Sequence, residues 1–182
     1  MTDIVSPAVR SRMMSGIRSK NTGPEISVRK ALHRKGLRYR LHARDLPGKP
    51  DITLPRHRAV VFVHGCFWHG HDCALFRLPA TRTDFWKEKI ERNQANDRKA
   101  VDSLLAAGWR VAIVWECALH GKDFPDNLAS ELSDWITHHQ GADRLEIRGY
   151  HRTMSTTDSS TVLLPKNENA ARKKQDDTRA SR

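Results

Sequence analysis

The stretch GKPDITLPRHRAVVFVHG, residues 48–65, decides the fold. Asp51-Ile52-Thr53-Leu54 and Ala59-Val60-Val61-Phe62-Val63-His64 are rich in β-branched residues and flank a turn from Pro55 to Arg58, so they read as a central hairpin. Upstream, Thr22-Gly23-Pro24-Glu25 combines a hydroxyl cap, a first-turn proline and a glutamate three residues after the cap. A helix is predicted from there to about Lys35, with Ile26, Val28, Ala31 and Leu32 as its apolar positions and Gly36 as its left-handed stop. Leu37, Tyr39 and Leu41 then alternate with Arg38, Arg40 and His42, the period of a short half-exposed strand. Downstream, residues 65–83 show no period and are rich in Gly, His and aromatics, which predicts a long loop that carries function. Helical spacing returns from Asp84 to Ala107, with Trp86, Ile90, Val101, Leu104 and Leu105 on one side. A buried strand follows over 110–116, and an amphipathic helix from Phe124 to about His139. The order implies one α/β domain over residues 1–150 with a small mixed sheet flanked by helices. Residues 151–182, Ser/Thr/Lys/Asp-rich, are expected to be a disordered basic tail.

The charge is concentrated. Of 32 basic and 21 acidic residues in the 182, the first fifty hold 12 basic and 3 acidic, whereas residues 51–150 are nearly balanced. A basic first third beside a neutral body suits a phosphate-backbone contact surface and points to nucleic acid as partner. The apolar runs of five residues are far below the roughly 20 a membrane helix needs, so no membrane role is expected. The N-terminal MTDIVSPAVRSRMMSG has no apolar stretch of leader length, and the expected location is cytoplasmic, associated with the nucleoid. Three cysteines, an odd number, read as free thiols or metal ligands rather than a disulfide framework.

Two patterns carry chemistry. Asp97 lies seven residues after Ile90 and four before Val101, so helical geometry sets its carboxylate on the core-facing stripe. A charge there must protonate, pair with a base or bind a metal. Asp97, His71, Cys73 and Cys117 would make a tetrahedral zinc site, with Cys66, His64 and His69 as rival ligands. The second pattern is Pro50-Asp51 opening a central strand behind a helix that bears Glu25. Hard carboxylate oxygens in that position suit Mg²⁺, and the layout is that of the PD-(D/E)xK nuclease core. Phe67-Trp68, placed between glycines, would expose large apolar area able to act as a wedge between base steps, and His69 beside them could take a proton from water.

Taken together, Asp51, HGCFWHGHDC at 64–73, PATRTDFWKEKI at 79–90, Asp97 and GWRVAIVWECAL at 108–119 closely resemble the very-short-patch repair (Vsr) endonucleases, as do RSRMMSGIRSKNTGPE at 10–25 and RKGLRYRLH at 34–42. The likeness covers about residues 7–140. It implies a PD-(D/E)xK-type, restriction-endonuclease-like fold and an enzyme that nicks double-stranded DNA 5′ to the thymine of a T·G mismatch, the product of 5-methylcytosine deamination, to start very short patch repair. The resemblance makes Asp51 the ligand of catalytic Mg²⁺ together with the backbone carbonyl of Val63, His69 the general base, and Glu25 a member of the same site. It assigns His71, Cys73, Asp97 and Cys117 to a structural zinc and leaves Cys66 free. Phe67, Trp68 and Trp86 become the aromatic wedge, and Met13 and Met14, in a DNA-contacting segment over 1–20, close on the DNA from the other groove. A monomer is expected, because an asymmetric mismatch offers no two-fold partner site, and a MutL-type repair protein is a candidate partner. One departure stands out: the second acid and lysine of the wider superfamily are missing, with Val63 and Gly65 in their place. A non-catalytic zinc protein that senses lesions is the alternative from another class; it accounts for the basic third and the Cys/His ligands but leaves Asp51 and Glu25 without work.

Overall fold

The hairpin forms where the sequence puts it. In the computed structural model, which describes Val9, residues 20–120, Phe124, residues 126–138 and residues 141–149, strand β2 (Ile52–Leu54) pairs antiparallel with β3 (Ala59–His64), Ile52 facing Val61. A 3-10 turn at Pro55–His57 and a left-handed Arg58 join them. Met13, Met14 and the 151–182 tail lie outside the described residues, as does nearly all of segment 1–20. Three α-helices, three further strands and a second 3-10 turn at Glu116–His120 make up the other elements of the described residues: α1 (Gly23–Arg34), β1 (Arg40–Leu41), α2 (Thr83–Ala106), β4 (Arg110–Trp115), α3 (Asp126–Thr137) and β5 (Arg144–Ile147).

The sheet runs β1-β2-β3-β4-β5, antiparallel up to β3 and parallel from β3 through β5. It is therefore mixed, as expected. The predicted basic strand shrinks to Arg40–Leu41, because Leu37 is spent closing α1 instead. Its N–H bonds the Leu32 carbonyl at 3.1 Å across a left-handed Gly36, the usual C-terminal lock of a helix. Strand β5 has no counterpart in the sequence reading; Leu145 and Ile147, alternating with Arg144 and Glu146, add an edge beside β4.

Strand alternation splits the core into two layers. Ala59 and Val61 face Val28, Leu32, Leu128, Leu132 and Ile136 of α1 and α3. Val60 and Phe62 face Val101 and Leu104 of α2. Every residue of β4 is buried, as a parallel strand covered on both faces requires. The sheet is thus fixed from both sides, and the ends of β2 and β3 carry Asp51 and the loop from Gly65 to a rigid edge.

Gly48 sets how closely the approach to Asp51 can pack. Its φ is +70°, and a Cβ there would lie 2.6 Å from Ala100 Cβ and 3.2 Å from the Phe62 ring. Gly48→Ala should cost about 1–3 kcal/mol, from backbone strain and overpacking together. An unchanged urea midpoint would show that the strand entry can relax freely.

Candidate active site

The N-terminus of α1 is built first. Thr22 is extended and its hydroxyl accepts from the Glu25 N–H, while Glu25 reaches back to accept from the Asn21 N–H at 3.0 Å. The expected cap exists, and its glutamate is 3% exposed, beside the end of the hairpin. Asp51 enters from the strand side. Its Oδ2 accepts from the Val63 N–H at 2.8 Å, the contact that ties the residue before β2 to the far end of β3. Burial pushes the Asp51 carboxyl up to about 6; the Val63 N–H opposes that rise and the nearby Glu25 adds to it. An oxygen donor with such raised proton affinity also favours a hard cation.

His69 comes from the loop after β3. A turn carries the chain over Gly65, whose carbonyl accepts from the Trp68 and His69 N–H groups. The His69 Nδ1 lies 2.5 Å from Asp97 Oδ2, and its ring stacks flat on His64 at 3.8 Å. A carboxylate at Nδ1 favours the proton on that nitrogen and leaves the Nε2 lone pair as acceptor. Burial pulls the His64 imidazole down to about 3, so the stacking face is neutral. Glu25, Asp51, His69, Asp97, Trp68 and Lys89 line one cleft of about 660 Å³.

The metal-ligand expectation needs correction at one position. The structure gathers Cys66, His71, Cys73 and Cys117, with one donor atom from each within 4.8 Å of the others. Asp97 is not among them; Cys66 takes the fourth place. The reason is local: the His71 N–H bonds the Cys66 carbonyl at 3.0 Å, which folds the loop back on Cys66, and the Cys117 N–H reaches Cys66 Sγ at 3.4 Å. Asp97, on α2, meets His69 instead. His71 Nδ1 lies 3.7 Å from Cys66 Sγ and 3.5 Å from Cys117 Sγ, and its ring stacks on Trp115. Burial raises both of those thiols above their ordinary range, so a soft cation is what would favour thiolates in this pocket. The set fits a metal ion.

Phe67, Trp68 and Trp86 also come together: Phe67 meets Trp68 at 5.1 Å and Trp86 at 5.3 Å, and all three are only partly buried. The exposed Phe85 extends the group. Helix α2 grips the loop behind them. Asn93 Nδ2 donates to the Trp68 carbonyl at 2.8 Å, and Gln94 Nε2 to the carbonyls of His69 and Gly70. Sequence reasoning missed Asn93 and Gln94, although both lie one turn before Asp97 and share its face. It also missed Arg29, which pairs with Glu25, and His42, which faces Arg29.

The sequence over residues 2–75 matches the family model described as DNA mismatch endonuclease Vsr. Over 153 residues, 83% of this chain and 98% of the relative, it is 41% identical to the DNA mismatch endonuclease Vsr of Escherichia coli (strain K12). The type II nicking enzyme V.XorIIP of Xanthomonas oryzae pv. oryzae is 56% identical over 119 residues, 65% of this chain and 88% of that one. V.NmeAIP of Neisseria meningitidis, also a type II nicking enzyme, is 48% identical over 122 residues, 67% of this chain and 87% of its own. The chain belongs to the Vsr family. It is accordingly a nuclease that acts on DNA phosphodiester bonds, with DNA nicking in mismatch repair as its broad role. The mixed five-stranded sheet flanked by helices agrees with the restriction-endonuclease-like fold of Vsr proteins.

The raised Asp51 carboxyl has a thermodynamic consequence. Its folded value of about 6 exceeds the ordinary carboxylate value, so the folded chain holds that proton more tightly than the unfolded one. The residue's contribution to stability therefore falls as pH rises from about 4 through 6. Without added divalent cations, Asp51→Asn should melt higher than the parent at pH 7.5, and the gap should shrink as pH falls through 6 and close below about pH 4. Equal melting temperatures at pH 7.5 would show that the carboxylate is better solvated than its burial implies.

Proposed function

We propose that this Vsr-family chain is a Mg²⁺-dependent endonuclease that nicks double-stranded DNA 5′ to the thymine of a T·G mismatch, the lesion left by deamination of 5-methylcytosine, and so starts very short patch repair. The observation that carries the reading is the convergence of Asp51 with the His69–Asp97 pair in a single cleft, with Trp68 at its wall. Asp51, with the backbone carbonyl of Val63 as a second oxygen, would hold the cation. Bound there, Mg²⁺ would neutralise developing charge on the phosphate and the leaving oxygen. His69 Nε2 takes the proton of the attacking water, Asp97 holds the ring through Nδ1 and stabilises the imidazolium that forms, and Glu25 borders the same oxygen-rich corner. Hydrolysis in line leaves 5′-phosphate and 3′-hydroxyl ends.

Phe67, Trp68 and Trp86 would enter the duplex beside the mismatch. Unstacking a base step costs a few kcal/mol, and a mispaired step costs least, which favours the lesion over paired DNA. Met13 and Met14 are proposed to close from the other groove. Zinc is the metal best suited to Cys66, His71, Cys73 and Cys117, three thiols and an imidazole, and the four residues would tie the wedge loop to the end of β4. The fourth ligand is thus Cys66, and Asp97 works with His69. No helix among the described residues is long and apolar enough to cross a membrane; a nucleoid-associated monomer, with a MutL-type protein as candidate partner, completes the proposal.

Two measurements test it. On a T·G duplex with Mg²⁺, Asp51→Asn should lose at least about 10³-fold in nicking and His69→Ala about 10²–10⁴-fold, with binding retained. Undiminished nicking by Asp51→Asn would sink the cation role. In a separate comparison of purified proteins, Cys66→Ser should lose zinc and melt lower, whereas Asp97→Asn should keep its zinc and nick slowly. Zinc retained by Cys66→Ser but lost by Asp97→Asn would restore the ligand set first expected.

A further inference from the structure

Two carboxylates and an imidazole share the corner of the cleft where α1 meets the hairpin. Glu25, His42 and Asp51 each place a donor atom within 4.8 Å of the others. Carboxylates this close repel, and such a corner would ordinarily collect a second proton or draw cations strongly. Arg29, one turn after Glu25 on α1, already stands there. Its Nη2 donates to Glu25 Oε2 at 2.5 Å and faces His42 Nε2 at 3.1 Å, and its Nη1 donates to Asn21 Oδ1 at 2.6 Å. The side chain is buried with Glu25, at 8% and 3% exposure. His42 is held in place from the backbone as well: it is left-handed at φ 50°, and its N–H bonds the Asp51 carbonyl at 3.3 Å.

A buried ion pair is a poor source of stability, since well-packed apolar residues commonly serve as well or better. The geometry points to another use. We propose that Arg29 is a positioning residue and resident counter-ion of the catalytic cation site: it fixes Glu25 and His42 against Asp51 and cancels one carboxylate charge. The pull on a divalent cation is thereby set by one net negative charge rather than two. The inference rests on the reading of Asp51 as cation ligand given above.

The test is binding of Mn²⁺ alone to the zinc-loaded, DNA-free protein at pH 8 and low salt, followed by calorimetry or by the Mn²⁺ paramagnetic resonance signal. Removing a nearby positive charge strengthens attraction for a divalent ion, so Arg29→Met should bind about fivefold or more tighter than the parent. Glu25→Gln should bind weaker by a similar factor, and the double variant Glu25→Gln/Arg29→Met should return to within about twofold of the parent. Arg29→Lys keeps the charge but loses the fork, so its Mn²⁺ affinity should stay near the parent's while T·G nicking slows by about tenfold. A purely structural arginine predicts the opposite sign, with Arg29→Met binding more weakly, and that result or an unchanged affinity overturns the proposal. If Arg29→Met does not fold, the comparison rests on Glu25→Gln and the double variant, where failure of the double variant to recover is the overturning result. Asp51→Asn separates the two readings: loss of Mn²⁺ binding without the charge order defeats only the Arg29 assignment, whereas parent-like binding by Asp51→Asn defeats the cation site itself.

Discussion

A loop of irregular backbone cannot place a catalytic side chain unless something removes its freedom, and here the stretch from Gly65 to Arg82 is held at two points. Cys66, His71, Cys73 and Cys117 draw the loop onto the end of β4. Asn93, Gln94 and Asp97, along one face of α2, take hold of Trp68, His69 and Gly70. Gly70 shows how tight the second grip is: with φ +61°, a Cβ there would lie 2.6 Å from both Gln94 Nε2 and Ile90 Cγ2. His69 and the aromatic residues thus belong to one braced unit, and disturbing either anchor moves both the His69 ring and the Phe67–Trp68 pair.

Charge in the cleft follows from the same economy of placement. Asp51, just before β2, is buried enough to raise its proton affinity. Asp97 meets an imidazole, Glu25 meets a guanidinium, and the Asp51 carboxylate has only the Val63 N–H as a hydrogen-bond donor among the described residues. Of these three acids Asp51 has the least internal compensation.

The sequence makes some of this legible, and particular residues show where legibility stops. The 3.6-residue period placed Asp97 on the inner face of α2 and required a partner for it, and the structure supplies His69. Which partner was beyond reach, because His69 sits in a loop with no period, and zinc was an equally good answer by spacing. Cys66 illustrates the same limit: HxC at 71–73 fixes two donors, but the two remaining places depended on how the loop folds back, which the His71–Cys66 backbone bond decides. Arg29 reads as one more basic residue on an amphipathic helix until Asn21, Glu25 and His42 surround it.

What the sequence determined by itself is what local physics enforces: the capped helix from Thr22, the β-branched hairpin around residues 52–64, the long helix ending before Gly108, and the inventory of soft and hard donors. Each follows from steric preference, side-chain period or donor chemistry within a few residues. Tertiary structure alone decided the convergence, assigning Cys66 to the thiol cluster beside Cys117, Asp97 to His69 and His42 to Arg29, and adding β5 beside β4. Those choices depend on distances between segments far apart in the chain, which are fixed only when the sheet and its two helical layers pack.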